Sequence, residues 1–280
     1  MSPLDTFAMS QSRAQDIVDF FDRRAADYDR EYSQATLAGH ALRVRRQKVL
    51  QLFDQPGGSV LDVGCGPGVM VEGLRALDCT FCGVDPSRNT IAIASERFRD
   101  DDRVRFLQGD ASRLEFSDDV FDCVLCMGVI DSVPDGQRAI GEMVRVLKPG
   151  GTLILTVANL ASPYAWWMNY VVYPALQGLY RLRVLRQGPA AGGGRGSSLR
   201  TLYTKRQAVR AIGTGGAQVT GVVPYYFNVF LPPLDKIAPR AALRVTQRME
   251  RYGRPQWLAA GWILQAHKPG PRPAIRDDRA

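Results

Sequence analysis

Short apolar runs alternate with amphipathic stretches through the middle of the chain. Ser59–Val63, Phe81-Cys82-Gly83-Val84-Asp85, Val104-Arg105-Phe106-Leu107, Phe121 to Met127 and Thr152 to Val157 each read as a strand. The fourth is apolar enough to predict burial on both faces. Helical spacing fills the intervals: Val69 to Leu77, Pro86-Ser87 through Arg97, and a stripe of Ile140, Met143, Val144 and Val146 closed by Lys148-Pro149-Gly150-Gly151. This β-α-β-α order predicts a parallel doubly wound α/β sheet.

The flanks follow other patterns. From about Ser10 to Phe53 two or three helices are expected, with one stripe starting at Ile17, Phe20 and Phe21 and another at Leu42, Val49, Leu50 and Phe53. Gln55-Pro56-Gly57-Gly58 breaks the chain before the first strand. After the fifth strand, Leu160 to Tyr180 is rich in Trp and Tyr, and no charged residue occurs between Lys148 and Arg181. Arg181, Arg183 and Arg186 follow, then a flexible glycine-rich stretch from Gln187 to Ser198. A helix from Thr204 to Ile212, a strand from Gln218 to Val223, an irregular basic segment from Asn228 to Pro255 and a strand from Trp257 to Ala266 complete the pattern. The Pro- and Arg-rich tail is expected to be disordered. The organisation is therefore a helical cap at 1–55, a ligand-binding core at 56–159, an insert at 160–203, completion of the sheet at 204–268 and a tail at 269–280.

Charge changes the picture most in the second half. The net charge is +8 over 280 residues, but residues 1–180 carry 18 Lys+Arg against 24 Asp+Glu, and residues 181–280 carry 18 against 4. The resulting +14 is either a solvated arginine-rich surface or a face for something anionic. Met1 to Gln15 lacks a basic start followed by an apolar run, so no signal peptide is expected. The five cysteines then fit a reducing cytoplasm. Cys79 with Cys82 and Cys123 with Cys126 have C-x-x-C spacing, yet in strands residues three apart face opposite sides of a sheet. Core thiols are expected there, and no metal.

The candidate chemistry starts at Asp62-Val63-Gly64-Cys65-Gly66-Pro67-Gly68. A strand here ends in a glycine-rich turn and opens a helix, the place where open α/β sheets bind nucleotides. Glycines let the backbone bend and approach a ligand closely. Asp85, about twenty residues on, can accept hydrogen bonds from ribose hydroxyls. Asp110, ending the third strand with Ala111, can receive an adenine amino group. A dinucleotide fingerprint would be G-x-G-x-x-G, but here the pattern is G-C-G-P-G followed by Val69, which suits a nucleoside without a pyrophosphate. No Gly-Lys-Ser/Thr follows, so a P-loop is excluded.

The set Val60–Gly68, Asp85, Gly109-Asp110-Ala111, Phe121-Asp122-Cys123-Val124 and Val146-Leu147-Lys148-Pro149-Gly150-Gly151 resembles the class I S-adenosylmethionine-dependent methyltransferases, in particular the group that includes the ubiquinone-biosynthesis methyltransferases. The resemblance implies a Rossmann-like, mostly parallel seven-stranded sheet with a helical cap, S-adenosyl-L-methionine as cofactor and SN2 transfer of its methyl group. It implies cofactor binding by Gly64, Gly66, Gly68, Asp62, Asp85, Asp110, Ala111 and the backbone of Cys126. Tyr28 matches an aromatic that closes over the cofactor, and Arg43 lies near an arginine that meets its carboxylate. Ubiquinone-type relatives carry Glu and Glu-His after the fourth strand. Here Gly128 stands in place of the first Glu and Ser132 in place of the His, which leaves Asp131 as the expected base or substrate contact. His40, Tyr203, Tyr225 and Tyr226 are candidates to line the acceptor pocket, and His267 is expected to be structural.

In this family the insert after the fifth strand usually carries acceptor choice. The aromatic segment therefore implies a lipophilic acceptor, with three readings open: an ordinary cap, a lipophilic pocket, or a segment lying in the interface of an anionic membrane. Its prolines, Asn169 and Gly178 argue against a membrane span. A soluble metabolite is the alternative acceptor. Nucleic acid is disfavoured as a partner, because the aromatics lie apart from most arginines.

Overall fold

The computed structural model describes residues 15, 18–19, 21–25, 27–28, 30–176, 178–179, 203–227, 230–231, 237–253 and 255–270. Ile17, Phe20, Arg181, Arg183, Arg186, the glycine-rich stretch and the tail beyond Gly270 lie outside them. Seven strands form one sheet: β1 (Ser59–Val63), β2 (Thr80–Asp85), β3 (Val104–Gln108), β4 (Phe121–Cys126), β5 (Leu147–Ala158), β6 (Gln218–Phe227) and β7 (Ala259–His267). Their order is β3-β2-β1-β4-β5-β7-β6, with β7 antiparallel to both neighbours and the others parallel. The chain winds outward from β1 through β2 to β3, then returns to place β4 on the other side of β1. A crevice opens at the carboxyl ends of β1 and β4, where the winding direction reverses.

Among the described residues, the helices with both ends defined are α1 (Leu37–Leu52), α2 (Val69–Leu74), α3 (Arg88–Arg97), α4 (Gly136–Val146), α5 (Pro163–Trp167), α6 (Lys205–Thr214) and α7 (Pro239–Tyr252). Each start has a local cause. Thr36, Ser87, Asp135 and Thr204 accept amide hydrogen bonds at the N-termini of α1, α3, α4 and α6. Residues 30–33 and the described residues from 21 to 28 are also helical. Two apolar layers sandwich the sheet. Val63, Val124, Leu153 and Leu264 face α4 and α6, while Val60, Cys123, Leu125 and Ile263 face α1 and α2. The cysteine pairs divide between these layers: Cys126 and Cys82 belong to the first, Cys123 and Cys79 to the second.

Three elements depart from the sequence reading. The Lys-Pro-Gly-Gly turn is the entry of β5 itself, and Lys148 there bonds both oxygens of Asp122 at 2.9 and 2.8 Å. β6 runs on to Phe227, with a register shift between Val219 and Gly221, and Tyr226 has a φ of 54° that is strained for an aromatic residue. The segment expected to be irregular contains α7, fourteen residues long, bracketed by Pro239 in its first turn and Gly253 in the left-handed conformation at its end. Its buried residues are Ala242 and Thr246, so its apolar stripe is too thin to show as helical periodicity. The uncharged segment is also helical, with α5 continuing as a π-helix from Met168 to Val172.

Candidate functional site

The glycine turn after β1 is built on backbone geometry that only glycine adopts easily. Gly64, Gly66 and Gly68 have φ of 71°, 54° and 81°. At Gly64 a Cβ would stand 2.1 Å from Val129, and at Gly68 2.7 Å from Phe98. At Gly66 the nearest atom would be 3.9 Å away, on Tyr28, so that backbone is open to a ligand. The turn is tied to β2: Gly64 N donates to Val84 O at 2.7 Å, and Gly66 N donates to Asp85 Oδ2 at 3.1 Å.

A cavity of about 490 Å³ lies over this edge. Gly64, Gly66, Asp85, Asp110 and Ala111 form its floor, and Phe21 and Tyr28 of the N-terminal helical segment stand over it. Met127 to Val129 and Ser132 to Asp135 close the β4 side. Asp85 also accepts from Ser87 N through Oδ1, at 2.9 Å. Burial raises the Asp85 pKa, and the two amide donors oppose that rise. Asp110 Oδ1 accepts from Ser112 N at 2.8 Å, which fixes the turn after β3.

A narrow inner chamber of about 20 Å³ continues from the cavity and shares Tyr28, Gly64, Gly66 and Met127 with it. Arg45, Asp62 and Tyr32 line it as well. Burial, reinforced by the nearby Asp85 charge, pushes the Asp62 carboxyl up to about 7, and Arg45 opposes the shift. Asp62 Oδ2 and Arg45 Nε are both out of solvent with no hydrogen-bond partner among the described residues. Arg45 bonds Tyr28 Oη at 3.3 Å. Burial works against its charge, but the surrounding Tyr28, Tyr32 and Tyr225 outweigh that and raise its pKa. Tyr225, on β6, also hydrogen-bonds with Arg45 and with Thr156 of β5, whose Oγ1 accepts from Gly128 N at 2.7 Å.

The expected residues therefore divide. Gly64, Gly66, Tyr28, Asp85, Asp110, Ala111 and Asp62 meet at the cavity and its inner chamber. Gly68 lies beneath, as the N-cap of α2. Arg43 does not reach the site: its Nη1 donates to the carbonyls of Tyr32 and Gln34 at 2.5 and 2.8 Å. Arg45, two residues on, is the arginine at the glycine turn. Cys126 is fully buried at the end of β4, and Met127 takes the lining position. Asp131 sits in a short 3₁₀ turn, Ile130–Ser132, close enough to Tyr225 to raise its pKa. The N-cap of α4 is Asp135. Tyr203 is buried in the core beside Gly136. His40 packs edge-on against Tyr226, outside the residues that line the cavity. His267 Nδ1 lies 3.0 Å from Gly151 O at the far end of the sheet. Among the described residues, no three His, Cys, Asp or Glu gather as a metal site.

Residues 61–155 match a family described as a methyltransferase domain. The chain is 28% identical over 171 residues to a demethylmenaquinone methyltransferase of Bacillus mycoides, a match covering 59% of this chain and 71% of the relative. Its fold is similar to that of a protein solved in complex with the Haloferax volcanii Trm112 methyltransferase activator, with TM-score 0.60, 21% identity, and coverage of 89% of this chain and 97% of that one. A second similar fold is an S-adenosylmethionine-dependent methyltransferase of Thermotoga maritima, with TM-score 0.59, 21% identity, and coverage of 90% and 99%. With the glycine turn, the acid closing β2 and the sheet order in place, residues 61–155 form a methyltransferase domain of the class I S-adenosylmethionine-dependent kind.

Proposed function

We propose that this enzyme methylates a lipophilic small molecule, taken up at the surface of a membrane. The observation that carries the acceptor class is the uncharged helical segment after β5. It leaves the carboxyl edge of the sheet, where the cavity opens, and exposes Trp166, Tyr170, Leu176 and Leu179. A solvated cap would bury or avoid such side chains, whereas a surface that meets apolar ligand or lipid presents them. Demethylmenaquinone, the acceptor named for the Bacillus relatives, points the same way.

The residues present fit the cofactor. The inner chamber holds one acid and one guanidinium with unpartnered buried atoms, the complement of a zwitterionic amino-acid end. In this reading Asp62 meets the ammonium and Arg45 the carboxylate, with Tyr28 closing above them. Gly64 and Gly66 let the backbone approach, and Gly68 sets the turn. Asp85 accepts the ribose hydroxyls, and Asp110 with Ala111 borders the adenine. Met127, after Cys126, lines the β4 side. When bound, the cofactor supplies a methyl group on a positive sulfonium, already a strong electrophile. The protein then has to align the acceptor and exclude water. Asp131, in the turn after β4 next to the lining residue Ser132 but not itself lining the cavity, is the acid this reading assigns to take a proton from an acceptor hydroxyl.

Incubation with methyl-labelled S-adenosylmethionine and separate lipid and aqueous extracts tests this reading. Label partitioning into the organic phase is the expected result. Label found only in water-soluble product would overturn the lipophilic acceptor.

A further inference from the structure

Helix α7 contributes nothing to the cofactor cavity. Its outward side carries Arg240, Arg244, Arg248 and Arg251, spaced four, four and three residues apart and hence on one face of the helix. All four are exposed, and none makes an ion pair among the described residues. The helix's one acid, Glu250, is turned inward to Lys48 of α1. Thr246 and Ala242 are fully buried on that inner side, so the packing of α7 fixes which way the arginines point.

Apolar side chains border this stripe. Val245 and Tyr252 are exposed on α7, and Trp257 is 61% exposed just beyond it. Trp257 ties α7 to the uncharged segment: Asn159, which opens that segment, donates through Nδ2 to Ala259 O at 2.8 Å and approaches Trp257 O at 3.5 Å. Trp166 and Tyr170 lie one turn apart along that segment with ring centroids 5.8 Å from each other, and both are exposed. The topology starts and ends these segments at the carboxyl edge of the sheet, the edge at which the cavity opens. β7 starts at Ala259, paired with Phe227 at the end of β6, and Ala158 at the end of β5 pairs with Gly261. The excursions from both strands therefore emerge at the carboxyl edge.

We infer that the arginine face of α7, with Tyr252, Trp257, Trp166 and Tyr170, is a docking surface for an anionic lipid bilayer. Aromatic side chains sit at headgroup depth, and guanidinium groups attract the negative surface potential. An acidic protein would match the arginines but not the exposed aromatic and aliphatic side chains beside them, and RNA would leave Ile237, Leu176 and Leu179 exposed to water. The segments that carry this surface leave from the same carboxyl edge of the sheet at which the cavity opens, so docking would hold that edge toward a membrane-dissolved acceptor. The inference rests on the lipophilic-acceptor reading, yet it is separately testable.

The test is flotation of the whole chain with phosphatidylcholine vesicles, with and without phosphatidylglycerol, across a salt series. Binding is expected only with phosphatidylglycerol, weakening as salt rises. Each Arg→Gln change at 240, 244, 248 or 251 is expected to weaken binding about fivefold. Trp257→Ala is expected to reduce the binding that persists at higher salt. Unchanged circular dichroism, melting temperature and cofactor affinity in the variants show that folding and the site are intact. No flotation at low salt, equal binding by the quadruple Arg→Gln variant, or an arginine-dependent gel shift with RNA in place of flotation would overturn the inference. Transfer to the lipid extract in detergent micelles reads the acceptor class independently. Its survival without vesicle binding would sink the docking surface alone, and its loss with vesicle binding intact would sink the acceptor reading alone.

Discussion

Asp85, at the end of β2, holds the glycine turn that follows β1: its Oδ2 accepts the Gly66 amide at 3.1 Å, and its Oδ1 accepts Ser87 N at 2.9 Å. One carboxylate thus fixes the turn beneath the cavity and the start of α3. Both bonds are charge-assisted, a class worth roughly 1.5–3 kcal/mol each. Asp85→Ala is expected to weaken S-adenosylmethionine binding by about ten- to hundredfold and to lower the melting temperature. Titration calorimetry and thermal unfolding check this, and an affinity within about twofold of wild type would sink the assignment.

The glycines separate by mechanism. Gly64→Ala meets both a left-handed backbone and Val129 at 2.1 Å. It is expected to cost more than the roughly 1–2 kcal/mol of the conformation alone and to abolish cofactor binding. Gly66→Ala has room for its Cβ and should cost only the conformational part. Gly141 lies inside α4, where an added Cβ would meet nothing within 4 Å and φ is not positive. Gly141→Ala is therefore expected to stabilise the fold by about 0.5–1 kcal/mol. Chemical denaturation of the three variants orders them, and a stabilised Gly64→Ala would contradict the geometry.

Two of the three arginines of α1, Arg43 and Arg45, give a contrast. Arg45→Lys keeps a charge but loses the planar fork that matches a carboxylate, so cofactor affinity should fall by about tenfold or more. Arg43→Gln removes the donor that holds Tyr32 O and Gln34 O. It should lower the melting temperature and leave affinity within about twofold. The reverse pattern would restore Arg43 to the cofactor.

These cases show what the sequence carried. The β-α order, the glycine turn, Asp85 and Asp110 were legible because strand runs, positive-φ glycines and strand-end acids are local signals. Arg45 was not, because its role depends on how α1 is surrounded. An apolar stripe through Leu42, Val49 and Leu50 suggests a helix with a broad solvent face, but α1 packs against α2, β6 and α7, and between Ala41 and Leu52 only Gln47 and Gln51 stand exposed. An arginine on such a helix must point somewhere inside, and only the fold says where. The α7 helix escaped for the opposite reason: it buries too little to reveal its period, although Pro239 and Gly253 mark both its ends. Tyr225 reaches Arg45 across the sheet from a strand nearly two hundred residues later, a pairing no local pattern encodes.

The last prediction concerns pH. Asp62 is raised from 3.8 to about 7, by burial first and the Asp85 charge second. The folded apo chain therefore binds a proton that the unfolded chain has released. The stability linked to this proton is fully present below about pH 3.8, the unfolded value, and is lost as pH rises through about 7. Cofactor binding should show the opposite slope. If the carboxylate of Asp62 faces the cofactor ammonium, affinity increases with pH up to about 7 and then levels, and binding below that pH releases a proton. Calorimetry in buffers of different ionisation enthalpy reads the proton release directly. Asp62→Asn should flatten both slopes and weaken binding at neutral pH. A slope that survives in Asp62→Asn would move the titration to Asp85, whose pKa burial also raises. A pH-independent wild-type affinity would remove the ammonium from Asp62 altogether.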